Sequence, residues 1–283
     1  MDGRLFDFRD HGRSQKMQTD HKTMEQAMTS SSANDAPARL ALVTGGLGGL
    51  GTEICRQLAK AGRRVVAADL PASESRLTGF RAAVAEFGNA IGHEAMDVSD
   101  HAACAALIGR LEREHGGVDI LVNAAGITRD ASLRKMTPTQ WHELMRVNLD
   151  GLFNTCHAVV EGMSTRGFGR IVNISSVNGQ TGQFGQTNYS AAKAGVHGFS
   201  MALARETARK GVTVNTVSPG YCDTPMVAAV PAEIRAQIVA GIPVGRLGQP
   251  TDIARAVTFL TADDAGYLTG VNLPVNGGYF MSF

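Results

Sequence analysis

The chain has 283 residues, with 27 lysines and arginines against 26 aspartates and glutamates, for a formal net charge of +1. That balance argues against a nucleic-acid partner, which needs a basic excess, and no apolar run approaches the roughly 20 residues of a membrane-spanning helix. Hydrophobic residues make up 43%, enough for the core of one large α/β domain. Cys55, Cys104, Cys156 and Cys222 lie far apart with no C-x-x-C pair, which points to a reducing cytoplasm rather than a disulfide framework or a metal site.

Residues 1–38 are polar, of mixed charge and without a sustained apolar period, and read as a disordered tail ahead of one domain over 39–283. The tail lacks the apolar stretch of a secretory signal. Met17, Met24 and Met28 are alternative starts. From Leu40 the pattern becomes regular. The run LALVTGG is a first strand, followed by a helix over Gly51–Ala61 and a second strand, RRVVAADLP. A helix over Glu74–Phe87, a strand ending at AMDV, a helix over Ala102–His115 and the strand VDILVNAAG come next. A single long helix is expected over Pro138–Met163, then the strand GRIVNISSV, a helix carrying Tyr189, and the strand VTVNTVSPG. Helical pieces over Ala232–Ala240 and Thr251–Leu260 lead to a last strand, GVNLPVNGG. Apolar strands alternating with helices predict an α/β fold: a single Rossmann-like, doubly wound parallel sheet with helices on both faces.

VTGGLGGLG, from Val43 to Gly51, joins the first strand to the first helix. Gly45, Gly49 and Gly51 let the backbone turn tightly, and the helix start at Leu50 offers free N–H groups to a pyrophosphate. Asp69 ends the second strand, where a carboxylate accepts hydrogen bonds from ribose hydroxyls and repels a 2′-phosphate. This favours NAD(H). Arg76 is the nearby cation that leaves NADP(H) possible, whereas Arg63 and Arg64 begin that strand at the far end.

GQTNYSAAKAGVHGFSMALARE spaces Tyr189 and Lys193 by four on one helix, with small residues between them. An ammonium beside a phenol would lower its pKa and make it a proton donor or acceptor nearer neutrality. A solvated surface pair would show the same spacing. The preceding strand ends in Ser175 and Ser176, either of which could hydrogen-bond a substrate oxygen. Asn123, Ala124 and Gly126 end another strand without bulk. Phe199 and Met201 fit a buried helix face. The histidines outside the tail, His197 among them, show no metal-ligand spacing and read as packing or surface residues.

Together, Thr44-Gly45-x-x-x-Gly49-x-Gly51, Asn123-Ala124-Ala125-Gly126, Ser176 and Tyr189-x-x-x-Lys193 resemble the short-chain dehydrogenase/reductase family, in order, from Leu40 to the C-terminus. The resemblance implies an NAD(P)-dependent oxidoreductase. It makes Ser176, thirteen residues before Tyr189, the catalytic serine. It adds Asn148 as the fourth catalytic residue, holding a water in a proton relay to the lysine. Asp97 and Val98 would lie at the adenine, Pro219, Gly220 and Thr224 at the nicotinamide, and Lys193 on its ribose. Pro225 departs from the acid many relatives carry.

Within the family, GITRD, FGRIVNISSVNGQTGQFGQTNYSAAKAG, TVNTVSPGY and IPVGRLGQP resemble the acetoacetyl-CoA reductases. That implies an acyl-CoA substrate, a place in polyhydroxyalkanoate synthesis, and Asp130, Gln183, Phe184, Gln186 and Tyr221 around the acyl-CoA. Loop solvation would explain Gln183 and Gln186 equally. Helices near Glu143–Met163 and Asn188–Lys210 resemble the family's dimer-forming pair, which implies a homotetramer. One alternative is a 3-oxoacyl-[acyl-carrier-protein] reductase, with Arg166, Arg170, Arg209 and Lys210 as a docking patch for an acidic carrier. Another is a dinucleotide-binding protein without turnover.

Overall fold

Seven short runs rich in Val, Ile, Leu and Ala pair into one parallel sheet: β1 (Leu40–Thr44), β2 (Arg64–Asp69), β3 (Ile91–Ala95), β4 (Ile120–Asn123), β5 (Gly169–Ile174), β6 (Val212–Pro219) and β7 (Asn272–Val275). Their spatial order is β3-β2-β1-β4-β5-β6-β7. The structure, a computed structural model, describes residues 38–224, 227 and 231–281. The expected tail, apart from Ala38, and the departure at Pro225 lie outside the described residues. Ala38–Phe283 form one compact unit. Strands β1, β4, β5 and β6 are buried along their whole length; β1 and β4 are nearly continuous apolar runs, whereas β5 and β6 also bury Arg170, Asn173, Thr213, Asn215, Thr216 and Ser218.

Helices α1 (Gly49–Lys60), α2 (Glu74–Val84), α3 (His101–His115), α4 (Pro138–Met145), α5 (Gly151–Arg166), α6 (Asn178–Thr181), α7 (Thr187–Thr207), α8 (Ala232–Ala240) and α9 (Pro250–Leu260) connect the strands. Successive strand side chains point to opposite faces. Leu42, Val66, Leu121 and Ile171 therefore pack with Ile108 of α3, Val159 of α5 and Val196 of α7. Val43, Ala67, Val122 and Val172 pack with Ile54 of α1, Phe80 of α2 and Ile253 of α9. Strand order reverses between β1 and β4, whose ends, Thr44 and Asn123, are partners in register. The crevice at such a reversal, beyond the carboxyl ends of the strands, is where open α/β sheets bind ligands.

Two expected helices are broken. The run expected over Glu74–Phe87 stays α-helical only to Val84 and then tightens into a 3₁₀ turn over Ala85–Ala90, with Gly88 at φ 50°. The single helix expected over Pro138–Met163 is two helices joined by a π-turn over Arg146–Asp150. Its start follows from the sequence: Thr137 and Gln140 form a capping box ahead of Pro138. The π-turn is set by the bonds Asn148 makes to Ile127 and has no propensity signature in the run itself. Met201, expected on the buried face of α7, is 52% exposed, while Phe199 packs against the core.

Candidate active site

The glycine turn after β1 is built as a cradle. Gly45 adopts φ 65°, a left-handed conformation glycine tolerates best, and a Cβ there would lie 2.8 Å from the Ala125 Cα. A Cβ on Gly51 would overlap the Gly45 carbonyl oxygen. Helix α1 then starts at Gly49 with Gly48 as its cap and no side chain on its first N–H groups, which leaves them for an anion. Leu50, in the first turn, packs partly into the core. The Asp69 carboxylate reaches back into this turn: Oδ2 accepts from the Leu47 N–H at 3.1 Å and Oδ1 from the Leu70 N–H at 2.9 Å. Arg76 donates to Asp69 Oδ2 at 3.0 Å, so acid and cation lie together at the position read for the adenosine ribose.

Three consecutive residues at the end of β5 hold the functional face of α7. The Lys193 ammonium donates to the Ile174 carbonyl at 2.7 Å. The Ser175 hydroxyl donates to the Lys193 carbonyl at 2.8 Å. The Ser176 hydroxyl lies near enough to the Tyr189 phenol to draw its pKa down. The Asn178 N–H donates to Ser176 Oγ at 3.1 Å, which fixes that hydroxyl and leaves its proton to point outward. The choice between Ser175 and Ser176 is thereby resolved by geometry: Ser175 is buried beneath α7, and Ser176 meets the phenol.

Sequence spacing led to the expectation that the Lys193 charge lowers the Tyr189 pKa. The structure corrects this. Burial pushes the phenol upward, the nearby Ser176 hydroxyl pulls it down, and the Asp130 carboxylate pushes it up further. The ammonium lies 5.8 Å from the phenol ring centroid, with its head turned in to the Ile174 carbonyl. Burial without a counter-charge lowers the Lys193 pKa from 10.5 to about 8. An i,i+4 pair assumes a solvated helix surface, and here that face is pressed onto β5.

The π-turn presents Asn148 to the strand end opposite. Its Oδ1 accepts from the Ile127 N–H at 2.8 Å and its Nδ2 donates to the Ile127 carbonyl at 3.0 Å. Asn148 and Lys193 both face Gly126, where a Cβ would sit 3.5 Å from Asn148 Oδ1 and 3.7 Å from Lys193 Nζ. With Thr44, Val98, Asn123 and Ile174 they border a cavity of about 10 Å³, close to the space one water needs. Thr44 Oγ1 accepts from the Ala124 and Ala125 N–H groups at 3.1 and 3.2 Å, locking NAAG onto β1.

Asn123 differs from expectation in its side chain, which is engaged inside the core: Nδ2 donates to Asn173 Oδ1 at 2.9 Å and Oδ1 accepts from Thr155 at 2.7 Å. Only its backbone is left for a ligand. Val98 is buried against Gly151, while Asp97 is exposed and caps its own turn by accepting from the Ser99 N–H. Pro219 ends β6, and its carbonyl accepts from the Val177 N–H, so it sits beside the serine loop. Gly220 donates to the Val275 carbonyl. Thr224 follows on the same loop.

On the substrate side, the structure joins Asp130 and Gln186: Gln186 Nε2 donates to Asp130 Oδ2 at 2.9 Å, and Gln186 Oε1 accepts from Asn178 at 2.9 Å. Gln183 and Phe184 lie on the loop just before Gln186, and the Phe184 ring is 89% exposed. Tyr221 stacks edge-on against Tyr279 at 5.5 Å, beside a cleft of about 320 Å³ bordered by Val244, Arg246, Arg255 and Asn276. Sequence reading passed over Asn178, which ties Gln186 to the serine loop, and His197, which lies under Ser175. A polar residue one turn after the lysine was the available signal for the second. Among the described residues no group of three or more His, Cys, Asp or Glu could hold a metal ion.

Comparison with known proteins adds to this geometry. A family model described as enoyl-(acyl carrier protein) reductase matches residues 45–280. An acetoacetyl-CoA reductase of Allochromatium vinosum is 53% identical over 244 residues, covering 86% of this chain and 99% of that protein. An acetoacetyl-CoA reductase of Rhizobium meliloti is 52% identical over 246 residues, covering 87% and 100%. A 3-oxoacyl-[acyl-carrier-protein] reductase of Haemophilus influenzae is 43% identical over 244 residues, covering 86% and 99%.

Proposed function

Because the chain belongs to the short-chain dehydrogenase/reductase family, we propose that it reduces acetoacetyl-CoA, and short 3-oxoacyl-CoA thioesters like it, to (R)-3-hydroxyacyl-CoA. The observation that carries this reading is the buried Lys193 ammonium held to the Ile174 carbonyl at 2.7 Å, two residues before Ser176, on the same helix as the Tyr189 phenol that Ser176 influences at the carboxyl edge of the sheet. The glycine cradle and the uncapped start of α1 fit a nicotinamide dinucleotide, since a Cβ at Gly51 would fill the space they leave. That cofactor, when bound, supplies the hydride to the carbonyl carbon. Tyr189 donates its proton to the carbonyl oxygen, and Ser176 orients that oxygen by a second hydrogen bond. A raised phenol pKa suits this direction, because the acid must be protonated at neutral pH. Lys193 steadies the phenolate left behind. A water held beside Asn148 in the shared cavity would pass a proton to Lys193, which would return it to the phenolate. Asp130 and Gln186 shape the mouth, and Gln183, Phe184 and Tyr221 would contact the thioester arm.

Asp69 supports NAD(H) as the favoured cofactor. Arg76 offsets part of that charge, and NADP(H) would be accepted where its guanidinium turns from Asp69 to a 2′-phosphate. Of the four cations read as a docking patch for the acyl-carrier-protein alternative, Arg209 and Lys210 are exposed and two are engaged by the fold. Arg170 is 3% exposed and Arg166 is paired with Glu112 and the Val118 carbonyl. Both lie with Arg209 and Lys210 at the amino edge of the sheet, opposite Ser176. We further read the product as feeding polyhydroxyalkanoate synthesis and the enzyme as a cytoplasmic homotetramer. The exposed Phe153 on α5 and Met201 on α7 supply apolar contact area for such an assembly. No helix among the described residues is long and apolar enough to cross a membrane.

The test is a steady-state assay of acetoacetyl-CoA and acetoacetyl-carrier protein with NADH and NADPH, on the native chain and on Asp69→Gly. We expect turnover on the CoA thioester, NADH preferred, and a shift toward NADPH in the variant. Faster turnover of the carrier-protein thioester would overturn the substrate, and an unchanged cofactor ratio would overturn the role of Asp69.

A further inference from the structure

Lys193 is held at both ends by neighbours in sequence. Ile174 takes its head and Ser175 its main-chain carbonyl, at 2.7 and 2.8 Å. Behind Ser175 stands His197, one helical turn after Lys193, with Nε2 at 3.1 Å from Ser175 Oγ. A serine hydroxyl carries one proton. Since that proton goes to the Lys193 carbonyl, Nε2 must carry the hydrogen and donate it to Ser175. His197 is then the neutral Nε2–H tautomer. Its Nδ1 is a bare acceptor, buried, with no hydrogen-bond partner among the described residues. Protonating Nδ1 would place an unpaired cation near the Lys193 ammonium, and burial together with that charge holds the imidazole pKa below its ordinary value.

The chain of bonds closes on itself. In an α-helix the N–H of residue 197 donates to the carbonyl of residue 193. The Lys193 carbonyl therefore accepts from both the His197 backbone and Ser175, and Ser175 in turn accepts from the His197 ring. Ser175 also donates its own N–H to the Val217 carbonyl at 2.8 Å, which anchors the ring of bonds to β6. Its neighbour, Ser176, lies by the Tyr189 phenol, whose pKa it draws down. A shift of α7 along β5 would disturb the Lys193 head, the Lys193 carbonyl and the Tyr189 phenol together.

We infer that Ser175 and His197 are positioning residues, which fix α7 against the end of β5 so that Tyr189, Lys193 and Ser176 hold their spacing without touching substrate. This rests on the reductase reading above. His197→Gln keeps an N–H donor where Nε2 stands, because the Gln Nε2 reaches as far as the imidazole Nε2. His197→Asn places its amide one bond short, near the old Nδ1. The two variants therefore lose the same ring and differ only in the reach of the donor.

The experiment measures kcat and KM on acetoacetyl-CoA for the native chain, Ser175→Ala, His197→Asn and His197→Gln, with melting curves for each. Ser175→Ala and His197→Asn should lose about tenfold in kcat, with KM for acetoacetyl-CoA changed by less than about twofold. His197→Gln should recover most of the native kcat. Combining Ser175→Ala with His197→Asn should cost little more than either alone, since both break one chain of bonds. The inference is overturned if His197→Asn runs as fast as an active native enzyme, or if His197→Gln falls as far as His197→Asn. Failure of the reductase reading looks different: the native chain itself would not turn over acetoacetyl-CoA.

Discussion

The two edges of the sheet are built on opposite principles. At the amino edge, Arg170 is 3% exposed yet satisfied, donating to the carbonyls of Ala262, Asp263, Gly169 and Gly211. Phe168 lies between two guanidiniums, with Arg39 at 3.3 Å and Arg170 at 4.2 Å from its centroid. Asp263 accepts from Arg39 at 3.0 Å and Arg63 at 2.9 Å, which ties the start of β1 and β2 to the chain after α9. At the carboxyl edge the buried cation is Lys193, with one hydrogen bond among the described residues. Of the six buried polar side-chain atoms without a partner among the described residues, four belong to Asn178, Gln180, Ser190 and His197 on α6 and α7; the other two are Arg56 Nε on α1 and Thr213 Oγ1 on β6, beside Arg170. Buried polar groups are normally paired, so a cluster of exceptions marks where bonding capacity is kept for something other than the fold. The amino edge commits its buried cation to main-chain carbonyls, and the carboxyl edge, on the reading proposed above, keeps groups for chemistry at some cost in stability.

The sharpest break of that contrast is Tyr189→Phe. The ring still packs and only the proton donor is lost, so kcat should fall by about 10³-fold. Nucleotide affinity, read by quenching of protein fluorescence, and the melting temperature should stay put. Retained turnover would remove the phenol from the chemistry. The matching change at the other edge is Arg170→Met. It leaves four carbonyls without their shared donor and should cost about 3 kcal/mol of unfolding free energy by denaturant titration. The folded fraction should keep the native kcat. A loss of kcat without a loss of stability would mean that the two edges are not separate in function.

Much of this was readable in the residues alone, for identifiable reasons. The strands stood out because a parallel sheet covered on both faces needs mostly apolar runs. The cradle stood out because only glycine fits where Gly51 meets the Gly45 carbonyl. What escaped depended on which way a side chain turns. Ser175 and Ser176 are adjacent and chemically identical, and the pleat alone sends one under α7 and the other to the phenol. Spacing put Lys193 beside Tyr189 but could not say that its head would bond inward to Ile174 and leave the phenol pKa to burial. Asn148 owes its reach to a π-turn, which is set by tertiary bonding to Ile127 and not by helix propensity. His197 looked like a packing residue because its partner, Ser175, is 22 positions away in the chain.

The smallest expected effect concerns stability at the reactive edge, and its sign runs against habit. Lys193 has an ordinary pKa of 10.5 and a folded value of about 8. Between those values the unfolded chain binds a proton that the folded chain does not, so the lysine makes stability rise as pH increases through that window. Below about 8 both states are protonated, and the native state carries a buried ammonium with no counter-charge. Lys193→Met removes that cost. It should be more stable than the native chain at pH 7 by about 1–3 kcal/mol while losing turnover. Raising the pH from 7 to 9.5 should narrow the gap, because only the native chain sheds the buried charge. Melting curves of both proteins at the two pH values isolate the lysine, since every other titrating group is common to both. A variant less stable than the native chain at pH 7, or a gap that does not change with pH, would show that the Ile174 carbonyl alone makes the ammonium a stabilising group, and the two edges would then follow one principle.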